Sequence, residues 1–482
     1  MIEHNTDRIF SGLVSRMKHV PTEGQREALR RISNFIVKST SGDTYLLKGY
    51  AGTGKTTIIS ALVQGLTGTG TKTFLLAPTG RAAKVMSLYA RKTAFTIHRK
   101  IYRPRQSENA GVHYSLAPNQ HANTLFIVDE ASMIADATQT GDQFFGGQNL
   151  LGDLIDFIKS GQNCRLLLVG DNAQLPPVGQ LNSPALDIKV LVNKYGLRAG
   201  HYELTEVVRQ EKHSGILENA TLIRHQIKED GKEILFHDKL PDFERVLSQD
   251  LGDKLASDYS SLGPEEVVVI CRSNRSANNY NKQIRYTGMW MEEEINAGDF
   301  LMCVKNNYFW LESDSPVGFI ANGDMLKITR VIGFEEKFGL RFANLAVVLI
   351  DYPDQPAFEV KVVMDSLYTE APALKREQSA ELFKRVGDSY PDATSRTARF
   401  AAISKDPWFQ ALQIKFAYAV TCHKAQGGQW KNVFVDQGYL TDEMLDTGYL
   451  RWLYTAITRA TEKVYLVNFN DRFFSENQIT PL

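Results

Sequence analysis

Residues 45–57 read YLLKGYAGTGKTT, an apolar run that breaks into glycines at Gly49, Gly52 and Gly54 and closes on Lys55-Thr56. The following IISALVQGL has the apolar spacing of a helix. A glycine loop between a strand and a helix lets backbone N–H groups turn inward around phosphates, and the helix N-terminus adds a partial positive charge. Lys55 can then reach the β- and γ-phosphates, and the Thr56 hydroxyl can ligate Mg²⁺. A glycine turn that only happens to precede a helix has no need of the Lys-Thr ending.

Outward from this P-loop, short apolar runs recur and each ends in a polar or glycine-rich turn. FLLA (74–77) leads into ProThrGly, LFIV (125–128) into AspGlu, and LLLV (166–169) into GlyAsp. Fully apolar strands alternating with helical stretches predict a parallel sheet covered on both faces. A second group, VVVI (267–270), FAYAV (416–420), VFV (433–435) and VYLV (464–467), predicts a second such sheet. The fold class is therefore α/β with two P-loop-type parallel-sheet domains, and ligands belong at the carboxyl ends of the strands. From 298 to 408 the pattern turns β-rich, with Asn322-Gly323 as a hairpin signal, which predicts an inserted small β-barrel with an accessory region. Within that region, LKREQSAELFKRVGD (374–388) reads as a solvent-facing helix. The stretch 101–121 reads as a small inserted hairpin. The expected units are 1–100 with 122–200, 101–121, 201–297 with 409–482, and 298–408.

The chain has 482 residues, enough for about three domains. At 43% hydrophobic and 23% charged it has an ordinary globular composition, and no eighteen-residue apolar run or secretory signal is visible. Cys164, Cys271, Cys303 and Cys422 lack the paired spacings of a zinc or disulfide framework, which suits a cytoplasmic protein. Lys+Arg and Asp+Glu are both 55, so net charge alone predicts no polyanion. The distribution is less neutral. Residues 44–107 contain no acid but carry Lys48, Lys55, Lys72, Arg81, Lys84, Arg91, Lys92, Arg99, Lys100, Arg103 and Arg105, and 407–435 carry Lys415, Lys424 and Lys431 without an acid. Such islands can bind phosphate, or can be a solvated charged face.

Several polar residues sit where strands end. Asp129, at the end of LFIV, can hold Mg²⁺ directly or through water, and Glu130 can act as general base for an attacking water. An Asp/Glu pair is also a common helix cap. Gln174, in GDNAQLPP (170–177), can bond a γ-phosphate or water, or can be the polar tip of a turn. Arg209 and Arg459 could stabilise charge on a transferring phosphoryl group from across a cleft. Read alone, each is an ordinary surface arginine.

Together, Glu23-Gly-Gln25, GYAGTGKTT, LAPTGRAAKVM, TIHRK, VDEASMI, GDNAQLPPVG, ELTEVVRQ, YAVTCHKAQGGQW and LYTAITRAT form an ordered series spanning residues 23–461. It resembles the motif set of superfamily 1 helicases, closest to the RecD/Dda branch. The resemblance implies two RecA-like domains with ATP and Mg²⁺ in the cleft between them and single-stranded DNA across their tops. Gln25 would recognise adenine. Gly52, Thr53, Gly54, Lys55, Thr56, Thr57 and Gly427 would line the nucleotide, with Thr56 and Asp129 on the metal. Lys55, Glu130, Gln174, Arg209 and Arg459 would form the catalytic set. DNA contacts fall to Thr79, Arg81, Thr96, His98, Thr421 and His423, with Tyr102 available to stack a base. Without their flanking motifs, His98 and His423 read as structural histidines. The hairpin after TIHRK resembles a strand-splitting pin and the β-insert an SH3-like barrel. The later part of the insert, 351–408, matches no motif.

The function implied is an ATP-dependent DNA helicase and translocase, moving 5′→3′ by branch resemblance, or a single-stranded-DNA-stimulated ATPase that unwinds weakly. The expected partners are single-stranded and forked duplex DNA, with single-strand-binding, replication or repair proteins, and no membrane. The expected state is a monomer. A guanine-specific P-loop enzyme would need an Asn-Lys-x-Asp element, and Asn193-Lys194 and Asn281-Lys282 lack the Asp. A non-catalytic scaffold would not need Lys55, Glu130 and Arg459. No nuclease carboxylate cluster is evident.

Overall fold

A computed structural model describes residues 2–107, 111–136, 149–208, 214–312, 315, 317–393 and 395–474. The strands, in chain order, are β1 Thr44–Gly49, β2 Lys72–Ala77, β3 Ala94–Thr96, β4 Tyr102–Ser107, β5 Gly111–Leu116, β6 Thr124–Val128, β7 Arg165–Gly170 and β8 Ala199–Leu204. Then follow β9 Phe243–Val246, β10 Val267–Cys271, β11 Phe300–Cys303, β12 Met325–Lys337, β13 Leu340–Leu349 and β14 Phe358–Val363. The last four are β15 Leu412–Phe416, β16 Ala419–Thr421, β17 Trp430–Asp436 and β18 Ala460–Val467.

The first sheet is parallel, in the order β3-β2-β6-β7-β1-β8. Its strands are apolar on both faces because both are covered. Leu47, Ile127 and Leu167 pack with the helices Glu23–Lys38, Lys55–Gly65 and Gly80–Ala90, while Leu46, Phe126 and Leu168 pack with Leu150–Ser160 on the other side. The second sheet, β16-β10-β17-β18-β9, is also parallel, and Val267 to Cys271 are all buried. Strands β11 to β15 close into a barrel, and β4 with β5 forms a separate antiparallel hairpin.

Three sequence readings change. FAYAV (416–420) is not one strand: Phe416 ends the barrel strand β15 and Ala419 begins β16 of the second sheet. The crossing is held by Asn281, whose Nδ2 donates to the Phe416 and Ala419 carbonyls at 3.3 and 2.9 Å while its Oδ1 accepts from Ala419 N–H at 2.8 Å. Asn322-Gly323 is not a two-residue hairpin but the end of a long connection into β12. The tight turn is Phe338-Gly339 between β12 and β13, where φ of 56° and 76° suits the right-handed strand twist. Third, β8 extends the first sheet past residue 200, pairing with β1 as far as Leu204. The helix read at 374–388 is present as Arg376–Asp388, and with Arg396–Ile403 it packs its apolar side on Leu340, Phe342 and Val363.

The barrel is joined to both lobes. Toward the second, Arg285 donates from Nε and Nη2 to Asp299 at 2.8 and 2.9 Å, and Tyr418 Oη donates to Asp299 Oδ1 at 2.8 Å, all buried. Toward the first, the turn ending at Asp324 presses so closely on Gly80 that no Cβ would fit there, and Lys84 Nζ donates to the Ile350 carbonyl at 2.8 Å. Burial, with Asp351 alongside, pushes Asp324 up to about 8, and its Oδ1 has no hydrogen-bond partner. Cys303, Tyr352, Arg99 and Lys84 complete its charged and titratable surroundings.

Two outcomes follow from these junctions. Replacing Arg285 with Met leaves the Asp299 charge buried and should cost about 3–5 kcal/mol in denaturant unfolding. Asp324 holds its proton more tightly folded than unfolded, where its pKa is about 3.9. Its contribution is therefore fully favourable below about pH 4, falls as pH rises toward about 8 and levels off beyond. Asp324→Asn should flatten that slope, so that the melting temperature of the variant gains on the parent between pH 5 and pH 9.

Candidate nucleotide site and nucleic-acid interface

The phosphate loop leaves β1 at Gly49 and turns through left-handed Gly52 and Gly54, with φ of 75° and 84°. Gly54 caps the helix Lys55–Gly65 without a side-chain bond, which leaves the first-turn N–H groups facing the loop. Lys55 Nζ lies in the bowl of the loop, donating to the Gly49 and Tyr50 carbonyls at 2.7 and 2.9 Å. Thr56 is exposed beside it. Thr53 Oγ1 braces the turn by donating to the Tyr50 carbonyl at 2.8 Å. Gln25, buried in the first turn of Glu23–Lys38, accepts from Thr22 N–H at 3.2 Å and donates to the Thr53 carbonyl at 3.0 Å. Its amide fills the space a Cβ on Gly54 would need, so this glutamine props the loop as well as bordering the site.

Asp129 and Glu130 follow β6, alongside the end of β1 with β7 between. Asp129 accepts from Tyr89 Oη at 2.5 Å and from Glu130 N–H at 2.9 Å, and burial followed by the charge of Glu130 raises its pKa. Glu130 takes a left-handed φ of 51°, strained for a residue with a Cβ, at the end of β6. There Arg459, from the end of the helix Thr447–Ile457 in the second lobe, brings Nη1 to 3.6 Å from Glu130 Oε1. Gln174 joins them: with its side-chain amide oriented so that the nitrogen faces the carboxylate, Nε2 donates to Glu130 Oε2 at 3.2 Å and Oε1 accepts from Arg459 Nη2 at 3.1 Å, whereas the opposite orientation would face oxygen to oxygen and nitrogen to nitrogen. The turn carrying Gln174 is tied to the same lobe, since Leu175 N–H donates to Thr455 Oγ1 and Gln426 Nε2 to the Leu175 carbonyl, both at 2.8 Å. Lys55, Glu130, Gln174 and Arg459 thus converge at the boundary of the two lobes. Arg209 lies outside the described residues; just before it, Val208 N–H donates to the Gly52 carbonyl at 2.9 Å.

The nucleic-acid candidates lie at the carboxyl ends of other strands, β2 and β3 of the first sheet and β16 of the second. Thr79 and Thr96 cap the helices Gly80–Ala90 and Ile97–Ile101, their hydroxyls accepting from Ala82 and Arg99 N–H, each at 3.2 Å. Arg81 reaches across the lobes, its guanidinium 3.9 Å over the Trp430 ring and Nη2 donating to the Gln429 carbonyl at 3.0 Å. Gly427, with φ of 74°, faces Thr79 and Ala82 so closely that a Cβ would lie 2.8 Å from Ala82 Cβ. Thr421 starts the short helix Cys422–Ala425, and His423 is exposed on it. Burial pushes His98 down to about 4, so at neutral pH it is an uncharged imidazole rather than a cation.

Tyr102 cannot stack a base. It is 5% exposed, its ring lies in the core beside Ile101 and Phe157, and its Oη donates to Asp153 at 2.7 Å, because it is the residue by which the hairpin roots in the first lobe. The basic island at 44–107 is not one surface either. Lys92 donates to Thr73 and Lys84 to Ile350, while Lys100 lies 4.2 Å over the Phe74 ring. Among residues that sequence reasoning passed over, Tyr89, Thr455 and Trp430 matter most, and no local pattern marks Tyr89 as the partner of Asp129. Among the described residues no three His, Cys, Asp or Glu side chains cluster as a metal site.

Residues 21–239 match the family described as AAA domain, and residues 416–467 match the UvrD-like helicase C-terminal domain. An uncharacterised protein of Methanocaldococcus jannaschii is 26% identical over 489 residues, covering 93% of this chain and 38% of its own length. The ATP-dependent RecD2 DNA helicase of Deinococcus radiodurans is 25% identical over 442 residues, covering 89% of this chain and 46% of its own length. The chain thus spans less than half of these two relatives. The ATP-dependent DNA helicase dda of Enterobacteria phage T4 is 24% identical over 477 residues, with 92% and 99% covered. A solved Pif1 helicase from Bacteroides, in complex with ADP-AlF3 and single-stranded DNA, aligns over 95% of both chains at 15% identity with a TM-score of 0.46. The ordered motifs, the two parallel sheets that carry them and both family matches are together consistent with the resemblance to superfamily 1 helicases of the RecD/Dda branch.

Proposed function

We propose that the chain is an ATP-dependent DNA helicase that translocates on single-stranded DNA, 5′→3′, and separates duplex strands. The observation that carries this is the meeting of Glu130 and Gln174 from one lobe with Arg459 from the other, beside Lys55. In this reading Lys55 leaves the loop carbonyls for the β- and γ-phosphates, and the open N–H groups of Gly54–Thr57 take up the remaining phosphate oxygens. The Thr56 hydroxyl and the Asp129 carboxylate are hard oxygen donors of the kind that hold Mg²⁺, which would neutralise charge between the β- and γ-phosphates. Glu130 takes a proton from water as its oxygen attacks the γ-phosphorus. The bond to the β–γ bridging oxygen breaks, leaving ADP and phosphate, while Arg459 and Arg209 steady the charge on the transferring group.

The same contacts supply the motor. A triphosphate bridging Lys55 and Arg459 favours a closed cleft, and its cleavage removes the bridge. Thr79, Arg81, Thr96 and His98 on one lobe and Thr421 and His423 on the other would grip the DNA backbone in turn. In this reading the β4–β5 hairpin parts the strands, against stacking of about 1.4 kcal/mol per base-pair step. Its presence favours unwinding over translocation alone. A monomeric state, a cytoplasmic location and replication or repair partners belong to the same reading. No helix among the described residues is long and apolar enough to cross a membrane.

Phosphate release measured with and without single-stranded DNA tests the proposal. Stimulation by DNA is expected, Lys55→Ala should abolish turnover, and Arg459→Ala should lower kcat by about a thousandfold. Removing residues 103–119 should leave the DNA-stimulated ATPase intact and abolish unwinding of forked substrates with 5′ tails. Unchanged unwinding would assign strand separation elsewhere.

A further inference from the structure

Two adjacent residues of the phosphate loop are held from the second lobe by side chains that take no part in the contacts of Arg459 with Glu130 and Gln174. The Arg224 guanidinium, on the helix Gly215–Glu229, lies 4.3 Å over the Tyr50 ring. The next residue, Ala51, donates its N–H to Tyr454 Oη at 2.8 Å, and that hydroxyl donates to Asp171 Oδ2 at 2.7 Å. A phenol has one proton to give, and here it goes to the carboxylate, so the order is fixed: Ala51 N–H to Tyr454 oxygen, Tyr454 O–H to Asp171. Tyr454 is 1% and Asp171 0% exposed, which shields both bonds from water. The other Asp171 oxygen accepts from Ala173 N–H at 2.8 Å and so stiffens the turn that ends in Gln174 and Leu175. Leu175 N–H is in turn held by Thr455, the neighbour of Tyr454. One turn of one helix therefore grips the phosphate loop with Tyr454 and the Gln174 turn with both residues.

We infer that Tyr454 is a positioning residue that sets the shape of the phosphate loop and the placement of Gln174 together, through Ala51 and Asp171, independently of any arginine on the γ-phosphate. The inference rests on the proposed ATPase and adds a second line of communication to it. Phosphates entering the loop act on the Ala51 peptide directly, and the Tyr454–Asp171 bond carries that to the turn whose glutamine faces Glu130 and Arg459. Misplacement of a reacting group by about 1 Å can cost on the order of a hundredfold in rate, so loss of one oxygen here can matter although it touches no substrate.

Tyr454→Phe keeps the buried ring and deletes the oxygen. DNA-stimulated kcat is expected to fall about tenfold or more, with KM for ATP changed less than about twofold and affinity for single-stranded DNA unchanged. Hydrogen exchange of the Ala51 amide in the nucleotide-free protein should speed up. Asp171→Asn, which weakens the acceptor, should give a smaller fall, and adding it to Tyr454→Phe should cost little more because both break one chain. Tyr449→Phe, on the same helix but against Trp452 and Phe473, should leave the stimulated rate unchanged. Parent-like stimulated kcat and Ala51 exchange in Tyr454→Phe would overturn the inference and leave the proposed ATPase standing. If Tyr454→Phe does not fold, parent-like turnover in Asp171→Asn overturns it alone. Absence of DNA-stimulated hydrolysis in the parent would remove the ATPase reading and the inference with it.

Discussion

Arg459 sets the terms for the rest of the molecule. Its guanidinium is 4% exposed, carried on the second lobe and aimed at a carboxylate on the first. A charge so far from water needs partners at every donor, and it finds them in Glu130, Gln174 and the Thr455 carbonyl. Those partners come from the ends of β6 and β7 and from its own helix. To bring them together the chain must set two parallel sheets with their carboxyl ends facing one boundary, and the phosphate loop at the end of β1 then lies on that same boundary. The cleft is thus a consequence of satisfying one buried cation.

Around that boundary the lobes touch through polar groups as well as through Ala173 and Leu175, which pack into the core of the second lobe. Arg81 on Trp430, Gln426 on Leu175, Tyr454 on Ala51 and Gly427 against Ala82 are directional contacts with short reach. Polar contacts of this kind can be exchanged for contacts to a phosphate or a nucleic-acid backbone, which suits a joint that opens and closes. The barrel is attached differently. Its bond to the second lobe is the buried Arg285–Asp299–Tyr418 network, which resists opening, whereas its turn at Asp324 meets the first lobe through a carboxyl with one oxygen unpaired.

What could be read along the chain is what depends on neighbouring residues. The phosphate loop needs glycines, a lysine and a threonine at fixed spacing, because backbone N–H groups must converge on a phosphate over a few residues. The apolar strands announce themselves because both faces of each are buried. Asp129, Gln174 and Arg459 were legible as candidates because they end such strands or close a recognised motif. Contacts that join distant segments were not legible. Tyr102 looks like a stacking ring until its burial against Phe157 is seen, and FAYAV looks like one strand until Asn281 divides it between the barrel and the second sheet. The basic stretch looks like one surface until Lys84 and Lys92 are seen bonded to backbone carbonyls and Lys100 lying over the Phe74 ring.

The amino-acid order by itself determined the class of fold, the nucleotide loop, the strand ends that carry carboxylate, glutamine and arginine, and the two insertions, since each is encoded over a handful of consecutive positions by backbone conformation and periodicity. Only the tertiary structure decided which of those groups meet. Gln174 lies between Glu130 and Arg459, Tyr454 holds the Ala51 N–H of the phosphate loop, and His98 is uncharged, because hydrogen-bond partners and desolvation arise from segments far apart in the chain, and no local pattern records them.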